Sequence, residues 1–313
     1  MIVALLVIGV GGIFAQGWRA ASAQMYGPAS HYPWTLADYP ALARVESPFE
    51  VHSSTGVTLV GRFFRGRFGA TIVLSHGYLG DQDELLPVAN MLHAAGFTVV
   101  SYNERGRGGS GGAGTAGALE TPDLRSVIDA VVRHRYVDPN ELGEFGFSIG
   151  ADISILEAAA DPRVKAVVAV GSGPDLGPEV HASWADVILH PTSQNTRLAW
   201  DLVELRTGAD LGRVRPVAVV ARISPRPILL VSGLDDPDVP PIDSVIVYDH
   251  ARAPKQLWLV KGAGHEDIIY PGGAAASPRV AAFFARALLH RRHARVRARR
   301  PRLPRRARPA RPL

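Results

Sequence analysis

Cysteine is absent from the 313 residues. That excludes a disulfide scaffold, a cysteine nucleophile and any cysteine-ligated zinc or iron–sulfur site. Lysine is nearly absent too, so positive charge is carried by arginine. Charged residues make up 20% of the chain and hydrophobic residues 47%, which excludes a chain disordered throughout. No P-loop, no dinucleotide glycine fingerprint and no H-E-x-x-H motif occurs. The glycine-rich run 106–114 lacks the G-K-[ST] ending of a phosphate loop. No internal repeat is visible.

What is present is unevenly spread. Eleven arginines lie between Arg291 and Arg311, and without them the net charge of +5 becomes −6. The body is mildly acidic, so specific nucleic-acid binding loses its support. Residues 291–313 mix Arg, Pro and Ala and read as a basic disordered tail; contact with anionic lipid headgroups or nucleic acid stands beside plain compositional drift in an arginine-rich chain. At the other end, Ile2 to Ala15 carry no charge. Residues 1–24 are expected to form a membrane anchor, or a cleaved signal segment ending at Ala21-Ser22-Ala23. A membrane location follows from the first reading and secretion from the second. Removal of 1–24 is expected to leave activity intact.

Between the ends, short β-branched runs alternate with longer amphipathic stretches. Runs such as Ala70–Leu74, Phe97–Tyr102, Leu142–Phe147, Val164–Val170 and Pro227–Val231 are continuously apolar and read as strands buried on both faces. Helices are expected over Glu84–Gly96, Pro122–Arg135, Ile149–Ala160, Ile242–Ala251 and Pro278–Leu289. Phe49–Ser53 and Thr58–Phe64 read as a hairpin. The pattern is that of an α/β fold with a mostly parallel central sheet and helices on both faces. The stretch 172–224 has no clear strand and reads as a helical insertion.

Ligands in such sheets bind at the carboxyl ends of strands, and three different strand ends carry a serine, an acid and a histidine. Gly146-Phe147-Ser148-Ile149-Gly150 fits G-x-S-x-G, with an apolar strand before it and an Ala-rich helix after it. Ser110 also sits in a G-x-S-x-G match, but inside a glycine-rich loop with no helix directly behind it. Ser148 is therefore the expected nucleophile. His265, flanked by Gly264 beyond the last strand, is the expected base; His250 sits at a helix end. Asp235, Asp236 and Asp238 compete as the acid, and the spacing D-x-x-V-P from Asp236 to Pro240 favours Asp236. Backbone N–H groups of Ile149 and Tyr78 are the expected oxyanion donors. His76 reads as a structural residue. No cofactor and no metal is called for.

These residues resemble the α/β-hydrolase superfamily over roughly 45–290. The shared features are His76-Gly77, the loop Arg105-Gly106-Arg107-Gly108-Gly109-Ser110, the elbow and the Asp and His strand ends. Within it the chain looks like bacterial serine esterases and peptidase-like hydrolases with an N-terminal membrane segment. The loop after the second central strand reads Asn103-Glu104 where Asp is common, and Ile149 follows the nucleophile where Met or Gln is common. The resemblance implies an α/β-hydrolase domain over 45–290, with 172–224 as a small helical cap. It implies a serine hydrolase that cleaves a small ester, thioester or amide through an acyl-enzyme. A non-catalytic binding protein on the same fold is the alternative.

Overall fold

The computed structural model describes residues 15–27, 30–176 and 195–289. Eight strands form one sheet in the order β1-β2-β4-β3-β5-β6-β7-β8. They are β1 Glu46–His52, β2 Thr58–Phe64, β3 Thr71–Ser75, β4 Thr98–Tyr102, β5 Leu142–Phe147, β6 Val164–Val170, β7 Ile228–Gly233 and β8 Lys255–Val260. β1 and β2 form the expected hairpin, and β2 pairs antiparallel with β4. From β4 to β8 every pairing is parallel. The helices are α1 (15–26), α2 Leu86–Ala94, α3 Glu120–Arg133, α4 Ile149–Ala160, α5 Asn195–Thr207, α6 Pro241–His250 and α7 Pro278–Phe284.

Alternation along each strand sends neighbouring side chains to opposite faces. Ile72, Leu74, Val99, Phe145, Val168 and Val231 face one core, with α2 and α7 over them. Val73, Val100, Val167, Ala169 and Leu230 face the other, under α3, α4 and α6. Strands β3, β4, β5 and β7 are buried along their whole length, as their unbroken apolar runs require. Each such Val, Leu, Ile or Phe contributes roughly 1.5–3 kcal/mol by leaving water.

Helix α3 starts two residues before the expected Pro122. The Glu120 carboxylate accepts from the N–H groups of Thr115 and Gly117 at 2.6 and 2.8 Å and ties the preceding loop to the helix. Thr121 lies inside the helix and donates its hydroxyl to Gly117 O at 2.8 Å.

The reading of residues 1–24 is corrected. No helix among the described residues is long and apolar enough to cross a membrane. Residues 15–24 belong to α1, which lies against α5: Ala21 and Met25 are buried with Leu198, Ala199, Leu202 and Val203. A Cβ on Gly17 would come within 2.6 Å of Leu198 Cδ2, so the two helices approach closely there. The buried side of α1 is covered by protein, and a membrane location drawn from residues 1–24 is not supported. Residues 1–14 and the basic tail 291–313 lie outside the described residues.

Candidate active site

Ser148 sits between β5 and α4 with φ 54° and ψ −125°, a left-handed conformation rare for a residue with a Cβ. The turn closes because its flanks are small. A Cβ on Gly146 would strike the Gly150 carbonyl, and one on Gly150 would strike the carbonyl of Ser75. Ser148 N–H donates to Val170 O at 2.8 Å, which fixes the elbow to β6. The side chain then faces a cavity of about 400 Å³.

Asp236 and His265 come from the loops after β7 and β8. His265 Nδ1–H donates to Asp236 Oδ2 at 2.7 Å. The other carboxylate oxygen, Oδ1, accepts from the N–H groups of Asp238 and Val239 at 2.9 and 2.8 Å. The Asp236 side chain is fully buried and that of His265 is 11% exposed. Nε2 is the ring nitrogen not engaged by the carboxylate. The Phe147 ring lies 4.8 Å from the His265 ring, centroid to centroid, and buttresses it from the elbow side.

The other candidates have different surroundings. Asp235 and Asp238 are exposed. Ser110 is buried and donates its hydroxyl to Asn103 O at 2.7 Å while accepting from Val60 N–H, a loop-to-strand tie. His250 is exposed at the end of α6 and bonds to Ile246 O. His76 is buried, accepts from Glu104 N–H on Nε2 and donates from Nδ1 to Gly77 O. Burial holds its pKa down to about 4, so it stays a neutral strut.

Ile149 is the first residue of α4, and first-turn N–H groups have no acceptor inside their helix. Tyr78 lines the cavity from the turn after β3. That turn is held by Glu84, whose carboxylate accepts from Gly77 N–H and from Tyr32 Oη at 2.7 Å. Burial lifts the Glu84 pKa to about 7.

The cavity wall includes Ile149, Ala116, Leu176, Trp200, Asp152 and Asp243. Trp200 of α5 meets Tyr78 at 5.8 Å between ring centroids. Asp152 was not singled out from sequence, although it lies four residues after Ser148 on the same helix face. It accepts from Ser172 Oγ at 2.7 Å and Gly173 N–H at 3.1 Å. Burial, reinforced by Asp243, lifts its pKa to about 8 against those two hydrogen bonds. Among the described residues, Asp236, Asp238 and His265 could bring three ligand atoms within 4.8 Å of one another. Two of the three are already bonded to each other, so the group reads as a hydrogen-bonded pair rather than a cation cradle.

Comparison with known proteins fits this geometry. The profile of the X-Pro dipeptidyl-peptidase (S15) family matches residues 21–190, which includes the elbow and stops short of Asp236 and His265. The uncharacterized protein YfhR of Escherichia coli O157:H7 is 30% identical over 254 residues, covering 78% of this chain and 77% of its own. A polyketide transferase of a Penicillium species, GrgF, is 24% identical over 266 residues, 72% of this chain and 90% of its own. The crystal structure of GrgF, described as an α/β hydrolase, superposes with a TM-score of 0.64 at 22% identity, over 78% of this chain and 99% of its own. The esterase Pf2001 of Pyrococcus furiosus gives 0.66 at 22% identity, over 84% and 98%. With that family's profile matching more than half of its length, on a sheet of the α/β-hydrolase type, the chain belongs to the X-Pro dipeptidyl-peptidase (S15) family of hydrolases.

Proposed function

We propose that the chain is a serine hydrolase that cleaves a small carboxylic ester, thioester or amide through an acyl-enzyme on Ser148. One observation carries the reading most: a buried carboxylate holds His265 by Nδ1 at 2.7 Å, and a serine in a strained strand-to-helix turn faces the adjoining cavity. Ser148 Oγ attacks the carbonyl while His265 Nε2 takes its proton. Asp236 fixes the tautomer and stabilises the imidazolium. The N–H groups of Ile149 and Tyr78 receive the oxyanion of the tetrahedral intermediate. His265 returns the proton to the leaving group, and water, activated by the same base, releases the acid. Within the insertion 172–224, of which 177–194 lie outside the described residues, α5 with Trp200 acts as the cap over the acyl pocket.

The test is a panel of p-nitrophenyl esters of rising chain length, beside aminoacyl and Xaa-Pro p-nitroanilides. Wild type turns over at least one of these. Ser148→Ala loses several orders of magnitude in rate, and Ser110→Ala keeps it if it folds. Activity that survives Ser148→Ala contradicts the assignment.

A further inference from the structure

Arg107 lies in the glycine-rich loop after β4, carries no role in the chemistry above and is buried at 5% exposure. Its guanidinium reaches across to the end of α1. Nη1 donates to Gly27 O at 2.8 Å and Nη2 to Gln24 O at 2.7 Å. A helix C-terminus leaves carbonyls without intrahelical donors and carries partial negative charge, so a buried cation is stabilised there.

The same contact includes the oxyanion side of the cavity. Gln24 O also accepts from Tyr78 Oη at 3.4 Å. The Arg107 guanidinium lies 5.8 Å from the centre of the Tyr78 ring. One residue further on, Leu79 has φ 59° and its carbonyl accepts from Ser30 N–H at 2.8 Å. Met25 O accepts from Gly114 N–H at 3.0 Å, closing the ring of contacts on the glycine loop. On its other side α1 is fastened to α5, with Arg206 Nη1 donating to Ser22 Oγ at 2.8 Å. The helix that bears Trp200, the end of α1 and the Tyr78 turn are thus one connected structure.

We propose that Arg107 is a positioning residue. It clamps the Gln24 and Gly27 carbonyls against the Tyr78 turn, and so holds the Tyr78 N–H where the oxyanion forms. α1 then stands behind the cavity wall and supports it through Tyr78. The inference rests on the serine-hydrolase reading. It adds that a helix far from the elbow in sequence sets the rate of the chemical step. An oxyanion donor acts on the transition state more than on bound substrate, so its displacement lowers kcat while leaving KM nearly unchanged.

The experiment measures kcat and KM on one activated ester, with rates divided by active sites titrated from the p-nitrophenol burst. Arg107→Ala is expected to lower kcat per site by about 10- to 100-fold with KM within about threefold. Binding of a trifluoromethyl ketone, which forms an oxyanion adduct on the serine, should weaken by the same factor as kcat/KM. The apparent pKa of the base should stay at its wild-type value, because His265 stands on other loops. Arg107→Lys, which keeps the charge and one donor, should recover part of the loss. A folded Arg107→Ala with kcat per site within about threefold of wild type overturns the proposal. If Arg107→Ala does not fold by circular dichroism, Arg107→Lys decides. A kcat loss of about three- to tenfold at constant KM supports the clamp, and wild-type kcat overturns it. A wild-type chain inert to every ester and to a fluorophosphonate would instead sink the hydrolase reading, a different outcome from either.

Discussion

At the scale of single residues, burial distinguishes three neighbouring aspartates. Asp236 is inside and bonded to His265; Asp235 and Asp238 face water. Asp236→Asn keeps the size but removes the charge that selects the tautomer. Its kcat should fall by about two to four orders of magnitude, partly recovered at high pH, whereas Asp235→Asn should change by less than about tenfold. A pH–rate profile of both variants checks this. Asp152 gives a second residue-level prediction, on stability. Its native pKa is lifted to about 8, while the unfolded chain ionises it near the ordinary carboxyl value. Between those values the unfolded chain releases a proton that the native chain keeps. Its contribution to stability is therefore complete below about pH 4 and is lost as pH rises towards about 8. Asp152→Asn should be more stable than the parent by about 1 kcal/mol or more at pH 8, with the advantage shrinking towards pH 4. Urea unfolding at the two pH values reads the difference, and an advantage independent of pH would contradict the burial argument.

At the scale of elements, α1 shows what a local pattern leaves undecided. Small and apolar residues bury equally well in lipid or against another helix, and periodicity does not name the partner. The partner here is α5, some 180 positions away, whose own sequence gives no sign of the pairing. The Arg107 clamp was illegible for a related reason: its acceptors are backbone carbonyls, which every residue has. Asp152 is legible in part, since i+4 from Ser148 fixes its face, but nothing in the sequence says that this carboxylate is buried. The start of α3 was misplaced because Pro122 is a strong N1 signal, while Glu120 reaches back to loop N–H groups. With α1 counted as structure, Met25→Ala should cost about 2–3 kcal/mol in urea unfolding, as a buried methionine does. Removal of residues 1–24 should destabilise the chain and lower its activity, against the expectation from sequence. Unchanged stability in both variants would mean that α1 is not part of the folded body.

At the scale of the whole molecule, the sheet was the most legible part. Strands β3 to β7 are buried on both faces, and such strands have almost no choice but to be unbroken apolar runs. The carboxyl ends of β5, β7 and β8 then bring Ser148, Asp236 and His265, spread over more than a hundred residues, to one edge. The strongest direct test of that convergence is intact-protein mass spectrometry of a rapidly quenched reaction with an activated ester, followed by peptide mapping. An adduct of one acyl group is expected on the peptide containing Ser148, absent in Ser148→Ala. Turnover of the ester with no adduct on Ser148, or with the adduct on another residue, would contradict it.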